Sequence, residues 1–228
     1  LILDYMPWAV IALLANTIAQ KGLDSILSVV HFIFVLYLAI IAQFIIQLIA
    51  LSINGINPIV YMKKSLALLI LAFTSRSSVG CLPITIETLT QKLGVNQATA
   101  SFVAGFGTTA GMQGCAGIFP SLLIVYVCHL TGTVMDFSMI VMTIIVVTLG
   151  SLGIAGIPGT ATMAASVGLS GVGMASSFSL IGPILAIDPL IDMARTMLNV
   201  SGSVTNALII DKRLGNLDEN IYNEINKN

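Results

Sequence analysis

The sequence predicts an all-α integral membrane protein built from broken helices and two re-entrant helical hairpins. Three observations predict it. Of 228 residues, 57% are hydrophobic and only 8% charged, and mean hydropathy is +1.01; apolar runs recur near the ~20 residues a helix needs to cross a bilayer. The chain carries 20 Gly and 7 Pro, which in such a setting point to interrupted or closely packed helices. A hairpin-like stretch with a small polar tip, followed by an interrupted or unusually polar helix, occurs twice in succession, and paired Gly/Pro-broken segments of this kind mark the midplane site of membrane carriers.

Taken in order, residues 1–25 hold one apolar span, with Asp4, Tyr5, Trp8 and Asn16 as its polar or interfacial members and a polar link around Lys21. The run opens at Leu1, without Met or a basic leader, so a longer polypeptide with preceding spans is expected. Ile26 to Ile53 is long enough to cross with tilt. Asn54-Gly55-Ile56-Asn57-Pro58 signals a turn. From 65 to 94, two apolar stretches too short to span flank the tip Thr74-Ser75-Arg76-Ser77-Ser78-Val79-Gly80. A polar tip is tolerated at membrane depth only where it lines an internal cavity, so this reads as a re-entrant hairpin. Residues 98–130 form a span broken at Ala110-Gly111-Met112-Gln113-Gly114-Cys115. Residues 137–169 repeat the hairpin pattern, with a tip from Gly153 to Thr162. A polar span at 181–210 closes the core, and a hydrophilic, solvated tail begins at Asp211.

That last span carries the densest chemistry. Asp188, Asp192, Arg195, Asn199 and Ser203 fall within an arc of roughly 80° on an α-helix, a single polar stripe on an apolar rod. Ionisable side chains inside a membrane segment face protein or water and by default mark a substrate or ion path. A fixed anion beside an Arg suits a zwitterion, because the guanidinium fork grips a carboxylate through two parallel bonds. Asp188 precedes Pro189 and is read either as a helix cap or as a proton carrier; Glu87 is read as a packing residue or a second proton carrier. With both hairpins re-entrant, Lys63, Lys64, Lys92, Lys212 and Arg213 share one side and Lys21 lies opposite, which makes the lysine-rich side cytoplasmic.

Other functions are excluded by chemistry. A net charge of −1 gives no basic face for nucleic acid. Cys81, Cys115 and Cys128 lack C-x-x-C spacing, and His31 and His129 sit in separate spans, so no zinc or redox centre is expected. Neither a nucleophile with its base nor a pair of acids is placed for catalysis, so no enzyme and no cofactor are expected beyond a coupling Na⁺ or H⁺.

The tip T-S-R-S-S-V-G-C-L-P (74–83), the break G-M-Q-G-C-A-G (111–117), the tip S-L-G-I-A-G-I-P-G (151–159) and D-M-A-R-T-M-L-N-V-S-G (192–202) occur in that order. Together they resemble the dicarboxylate/amino acid:cation symporters, the glutamate-transporter family, and within it most closely the bacterial L-cystine transporter branch. The resemblance covers the family's C-terminal part, from Leu1 to about Lys212. It implies a secondary active transporter of a prokaryotic plasma membrane, a homotrimer in which a transport domain (26–212) moves like an elevator against a scaffold represented here by 1–25, with 213–228 as a cytoplasmic tail. It further implies that Asp192 holds the substrate ammonium and Arg195 a distal carboxylate, that Thr196 and Asn199 orient the backbone, and that Ser77, Ser78, Val79 and Ile157, Pro158, Gly159 are the two tips, with Cys115 near the substrate. L-cystine is the expected cargo, with a dicarboxylate or another amino acid as the alternative.

The chain departs from the family at its cation sites. Where the family's broken helix reads N-M-D-G-T, Gly111, Gln113 and Cys115 replace Asn, Asp and Thr, and Ser203 replaces a further Asp. Hard cations favour such carboxylate oxygens. A mainly carbonyl-built site matching Thr109, Ser151, Leu152 and Ile154 remains, so coupling to Na⁺ at fewer sites or to H⁺ stays open.

Overall fold

The protein is described by a computed structural model covering Trp8, Ala12 and residues 24–224. The expected scaffold span, 1–25, lies almost wholly outside the described residues. Among those described, all regular structure is helical. The first helix, α1 (Asp24–Ile53), turns Val29, Phe32, Leu36, Ile40, Gln47 and Leu51 inward at helical spacing, while Leu27, Val30, Phe34, Leu38 and Ile45 stay exposed.

Asn57 starts α2 (Pro58–Ser75): its side chain accepts the Ile59 N–H at 3.0 Å, and Pro58 occupies the first turn, where a missing N–H costs nothing. The first arm of the hairpin therefore begins at Pro58, not at residue 65. It takes Lys63 and Lys64 into the helix and becomes long and apolar enough to cross a membrane, contrary to the short arm expected from sequence. The returning arm, α3 (Leu82–Glu87), runs on through a π turn at Thr88–Lys92. The arms are antiparallel: Ser75 Oγ meets Cys81 Sγ at 3.2 Å near the tip, and Lys64 Nζ donates to the Lys92 carbonyl at 2.9 Å near the base.

The stretch expected as a broken span forms α4 (Gln97–Gly107) and α5 (Phe119–Thr131), the latter entered through a π turn at Gln113–Ile118. Between them Gly111 sits at φ 88°, a left-handed conformation that costs a side-chain-bearing residue but not glycine. The second hairpin follows as α6 (Phe137–Gly150), capped by the Asp136 side chain accepting from Met139 N at 2.8 Å, a 3₁₀ turn at Ser151–Gly153, and α7 (Ala161–Gly171).

The last span is not continuous. A 3₁₀ segment (Ala175–Ile181) and the short α8 (Gly182–Ala186) meet α9 (Asp188–Leu214) at an 85° bend, with Pro183 and Pro189 each in a first turn. Helix α9 is the rod on which α1, α2, α4 and the turn into α5 all pack. In the tail Asp218, Glu219 and Glu224 are exposed, as expected, but a final short helix, α10 (Glu219–Asn223), docks one side of it. Tyr222 is buried and donates to the Asn57 carbonyl at 2.8 Å, Asp218 N donates to Gly94 O at 2.9 Å, and Lys64 reaches the Ile221 carbonyl. Asp211 is fully buried: it accepts from Asn96 N and Thr99 Oγ1, both at 2.7 Å, and so stabilises the N-terminus of α4.

Candidate functional site

The polar stripe of α9 faces protein along its length. Asp188, Asp192, Arg195, Asn199 and Ser203 are all buried, and Arg195 has no exposed surface. The 85° bend places Asp188 at the first turn of α9, where its side chain makes no cap. Its carboxylate Oδ1 instead accepts from Arg195 Nη2, and Asp192 Oδ1 accepts from the same nitrogen at 3.2 Å. The guanidinium carbon lies 3.9 Å from the centre of the Phe119 ring, a cation–π contact strengthened by the full burial of both side chains. With both acids on Nη2, Arg195 Nε and Nη1 have no hydrogen-bond partner among the described residues. Two buried donors without a partner carry a desolvation cost.

Asn199 grips the broken helix. Its Oδ1 accepts from the Gly114 and Cys115 N–H groups at 2.8 and 3.4 Å, two of the orphan donors at a helix start, and its Nδ2 donates to Cys115 Sγ at 3.1 Å. Cys115 Sγ in turn points at Asp192 Oδ1, 3.5 Å away, as does Thr196 Oγ1. Glycine at 114 is required by this packing: a Cβ there would come within 2.7 Å of the Arg195 carbonyl oxygen.

Both tips converge on the break. Val79 N donates to Gly156 O at 3.1 Å, Ser77 Oγ to the same oxygen at 3.3 Å, and Gly156 N to Thr108 O at 2.9 Å. Arg76, at φ 55° despite its side chain, ties the first tip to the bend through Nη1 to the Pro189 carbonyl at 3.1 Å. Ser78 is buried in this junction. In the second tip, Ile154 packs with Met112, Cys115, Ala116 and Ala164, while Ile157, Pro158 and Gly159 lie on its exposed side. The junction contact belongs to Gly156, which sequence reasoning did not single out.

The candidate cation positions are less gathered. Thr109 is exposed just before the break, Ser151 donates its hydroxyl to Thr148 O at 2.7 Å, and Leu152 is exposed. Glu87 is exposed on α3, so burial, the physical ground for reading it as a proton carrier, is missing. Among the described residues no three His, Cys, Asp or Glu side chains gather as metal ligands.

Sequence reasoning also missed a neutral network beside the stripe. Gln113 Oε1 accepts from Gln43 Nε2 at 3.0 Å and Gln47 Nε2 at 2.7 Å, using both its lone pairs. Gln47 Oε1 accepts from Ser201 Oγ, which meets Tyr61 OH at 2.7 Å. The signal was present: Gln43 and Gln47 are i,i+4 polar residues in an otherwise apolar span.

Two hairpin tips meeting over a broken helix, with a charged stripe beneath and three helices long and apolar enough to cross a membrane among the described residues, fit a multi-pass membrane protein. The chain belongs to the sodium:dicarboxylate symporter family, whose model matches residues 1–213. It is 42% identical over 225 residues to an L-cystine uptake protein, TcyP, of Bacillus cereus, 41% identical over 225 residues to that of Bacillus licheniformis and 40% identical over 228 residues to that of Shouchella clausii. These alignments cover 98%, 98% and 100% of this chain and 48% of each relative, so the chain spans about half the length of the curated relatives it matches.

Proposed function

We propose that this chain is the substrate-carrying part of an amino acid:cation symporter that imports L-cystine across a prokaryotic plasma membrane. The observation that carries the reading is the junction of the two tips, Val79 N to Gly156 O, over a stripe in which Asp192 is a fixed anion and Arg195 keeps two buried donors unpartnered. One end of a zwitterion is matched by Asp192 and a carboxylate by Arg195. The names of the relatives favour cystine. The moving unit in this reading is 26–212, carried against a scaffold that includes 1–25, within a homotrimer.

Coupling would run through backbone carbonyls near Thr109, Ser151, Leu152 and Ile154 if the ion is Na⁺, or through Asp188 if it is H⁺. Around the break Gln113 offers only an amide oxygen that already accepts two hydrogen bonds, which favours few cation sites. The test is uptake of labelled L-cystine into proteoliposomes holding the full-length protein, under a Na⁺ or an H⁺ gradient. Saturable accumulation under either is expected, and none under both would refute the reading.

A second reading keeps the architecture and takes a dicarboxylate or another amino acid. The unpartnered Arg195 nitrogens favour it, since any distal carboxylate fits them. Competition of labelled cystine with unlabelled aspartate and serine separates the two.

A further inference from the structure

Away from the stripe, a cavity of about 220 Å³ opens where the base of the first hairpin meets α10, lined by Lys63, Lys64, Lys92, Gln91, Ile221 and Glu224 among others. We propose that it binds the phosphate-bearing headgroup of an anionic membrane lipid.

Three ammonium groups line this small space against one carboxylate, an excess of positive charge that a phosphate would neutralise. The cluster is fixed by the fold. Lys64 donates to the Lys92 and Ile221 carbonyls, joining the two arms of the hairpin to α10. The Lys64 ammonium also lies 5.9 Å from the centre of the Tyr222 ring, so its place at the edge of the cavity is set by α10 as well as by the hairpin. Lys63 and Lys92 are exposed and supply the other two cations.

The surroundings favour a lipid over a free anion. Ile59, Lys63, Leu66 and Ile70 share one face of α2, and the three apolar members are 64%, 51% and 55% exposed. Lys63 thus interrupts an apolar row between Ile59 and Leu66 on a helix long enough to span, so a headgroup at the lysines would run its acyl chain along Leu66 and Ile70. The distribution of lysines places this end on the cytoplasmic side, where anionic lipid meets basic pockets between helices.

The test uses the full-length protein in neutral detergent and follows its apparent thermal midpoint against added phosphatidylglycerol, phosphatidylcholine or inorganic phosphate. Phosphatidylglycerol should raise the midpoint and phosphatidylcholine should not. In a Lys63→Gln/Lys92→Gln variant the half-saturating phosphatidylglycerol should rise about 25-fold, from about fivefold per lysine. Both side chains are exposed, so the variant is expected to fold; Lys64 is avoided because it also holds α10. A phosphatidylglycerol response unchanged in the variant overturns the proposal. An equal response to inorganic phosphate, lost in the variant, overturns the lipid assignment in favour of free phosphate.

Discussion

Gly156 is held between two elements: its carbonyl accepts the Val79 N–H of the first tip, and its own N–H donates to Thr108 at the end of α4. The second hairpin is thereby latched to both the first hairpin and the helix break by one residue without a side chain. A Cβ at this position would come within 2.7 Å of the Thr108 oxygen and 2.9 Å of Ser78 Cβ.

Gly156→Ala should therefore separate the tips. The expected outcome is uptake reduced at least tenfold with a stability loss of about 1–3 kcal/mol. Transport assays and thermal unfolding read the two effects, and wild-type uptake from the variant would contradict the latch.

Arg195 sits fully buried against Phe119 with two carboxylates on one nitrogen. Arg195→Met leaves Asp188 and Asp192 buried without their counter-ion, and a loss of about 3–5 kcal/mol is expected. Arg195→Lys keeps the charge but not the fork, so it should be more stable than the Met variant and still fail to recognise the carboxylate. Chemical or thermal unfolding orders the three proteins, and equal stability of the Met and Lys variants would argue against a paired charge.

The amide network is expected to matter for stability more than for charge. Gln47→Leu removes one of the two donors to Gln113 Oε1, which keeps Gln43, and one partner of Ser201 Oγ, which keeps Tyr61 OH, so about 0.5–1.5 kcal/mol per lost hydrogen bond is expected. If the network is structural, a Gln47→Leu/Gln113→Leu pair should cost less than the sum of the single changes. A double-mutant cycle measures that difference, and strict additivity would show the two amides to be independent.

Tyr222 lies outside the spans, and burial pushes its phenol well above the ordinary tyrosine range. The folded protein therefore holds this proton more tightly than the unfolded chain. The associated stability is complete below about pH 10, where tyrosine titrates when unfolded, and is lost as pH rises toward the folded value. Tyr222→Phe should remove that alkaline loss, and at neutral pH it should cost about 0.5–1.5 kcal/mol for the bond to Asn57. Proteolysis of the C-terminal segment across alkaline pH reads docking directly, and cleavage independent of pH in both proteins would oppose this account.

Much of the architecture was legible in one dimension. The tips at 74–80 and 153–162 and the break at 110–115 declare themselves because polar, Gly-rich backbone among apolar runs has few places to go in a membrane. The stripe of α9 was visible as a period. The lower boundary of the first hairpin was misplaced because Lys63 and Lys64 look like a loop when counted by charge, whereas Asn57 and Pro58 start the helix before them. The docking of α10 was hidden for a similar reason: a hydrophilic composition says nothing about the buried face of Tyr222.

The sequence alone determined that the chain is helical, where its spans and hairpins break, and which charges share one face of the last helix, since hydropathy and helical period are local properties. The tertiary structure decided who meets whom: Asp188 on Arg195 instead of at a helix cap, Gln43 and Gln47 on Gln113, and Gly156 in place of Ile157, Pro158 and Gly159 at the junction of the tips. Those pairings follow from the 85° bend at Ile187 and from the close crossing of the broken helix over α9. Neither is a local property, because each is fixed by the packing of residues distant in the chain.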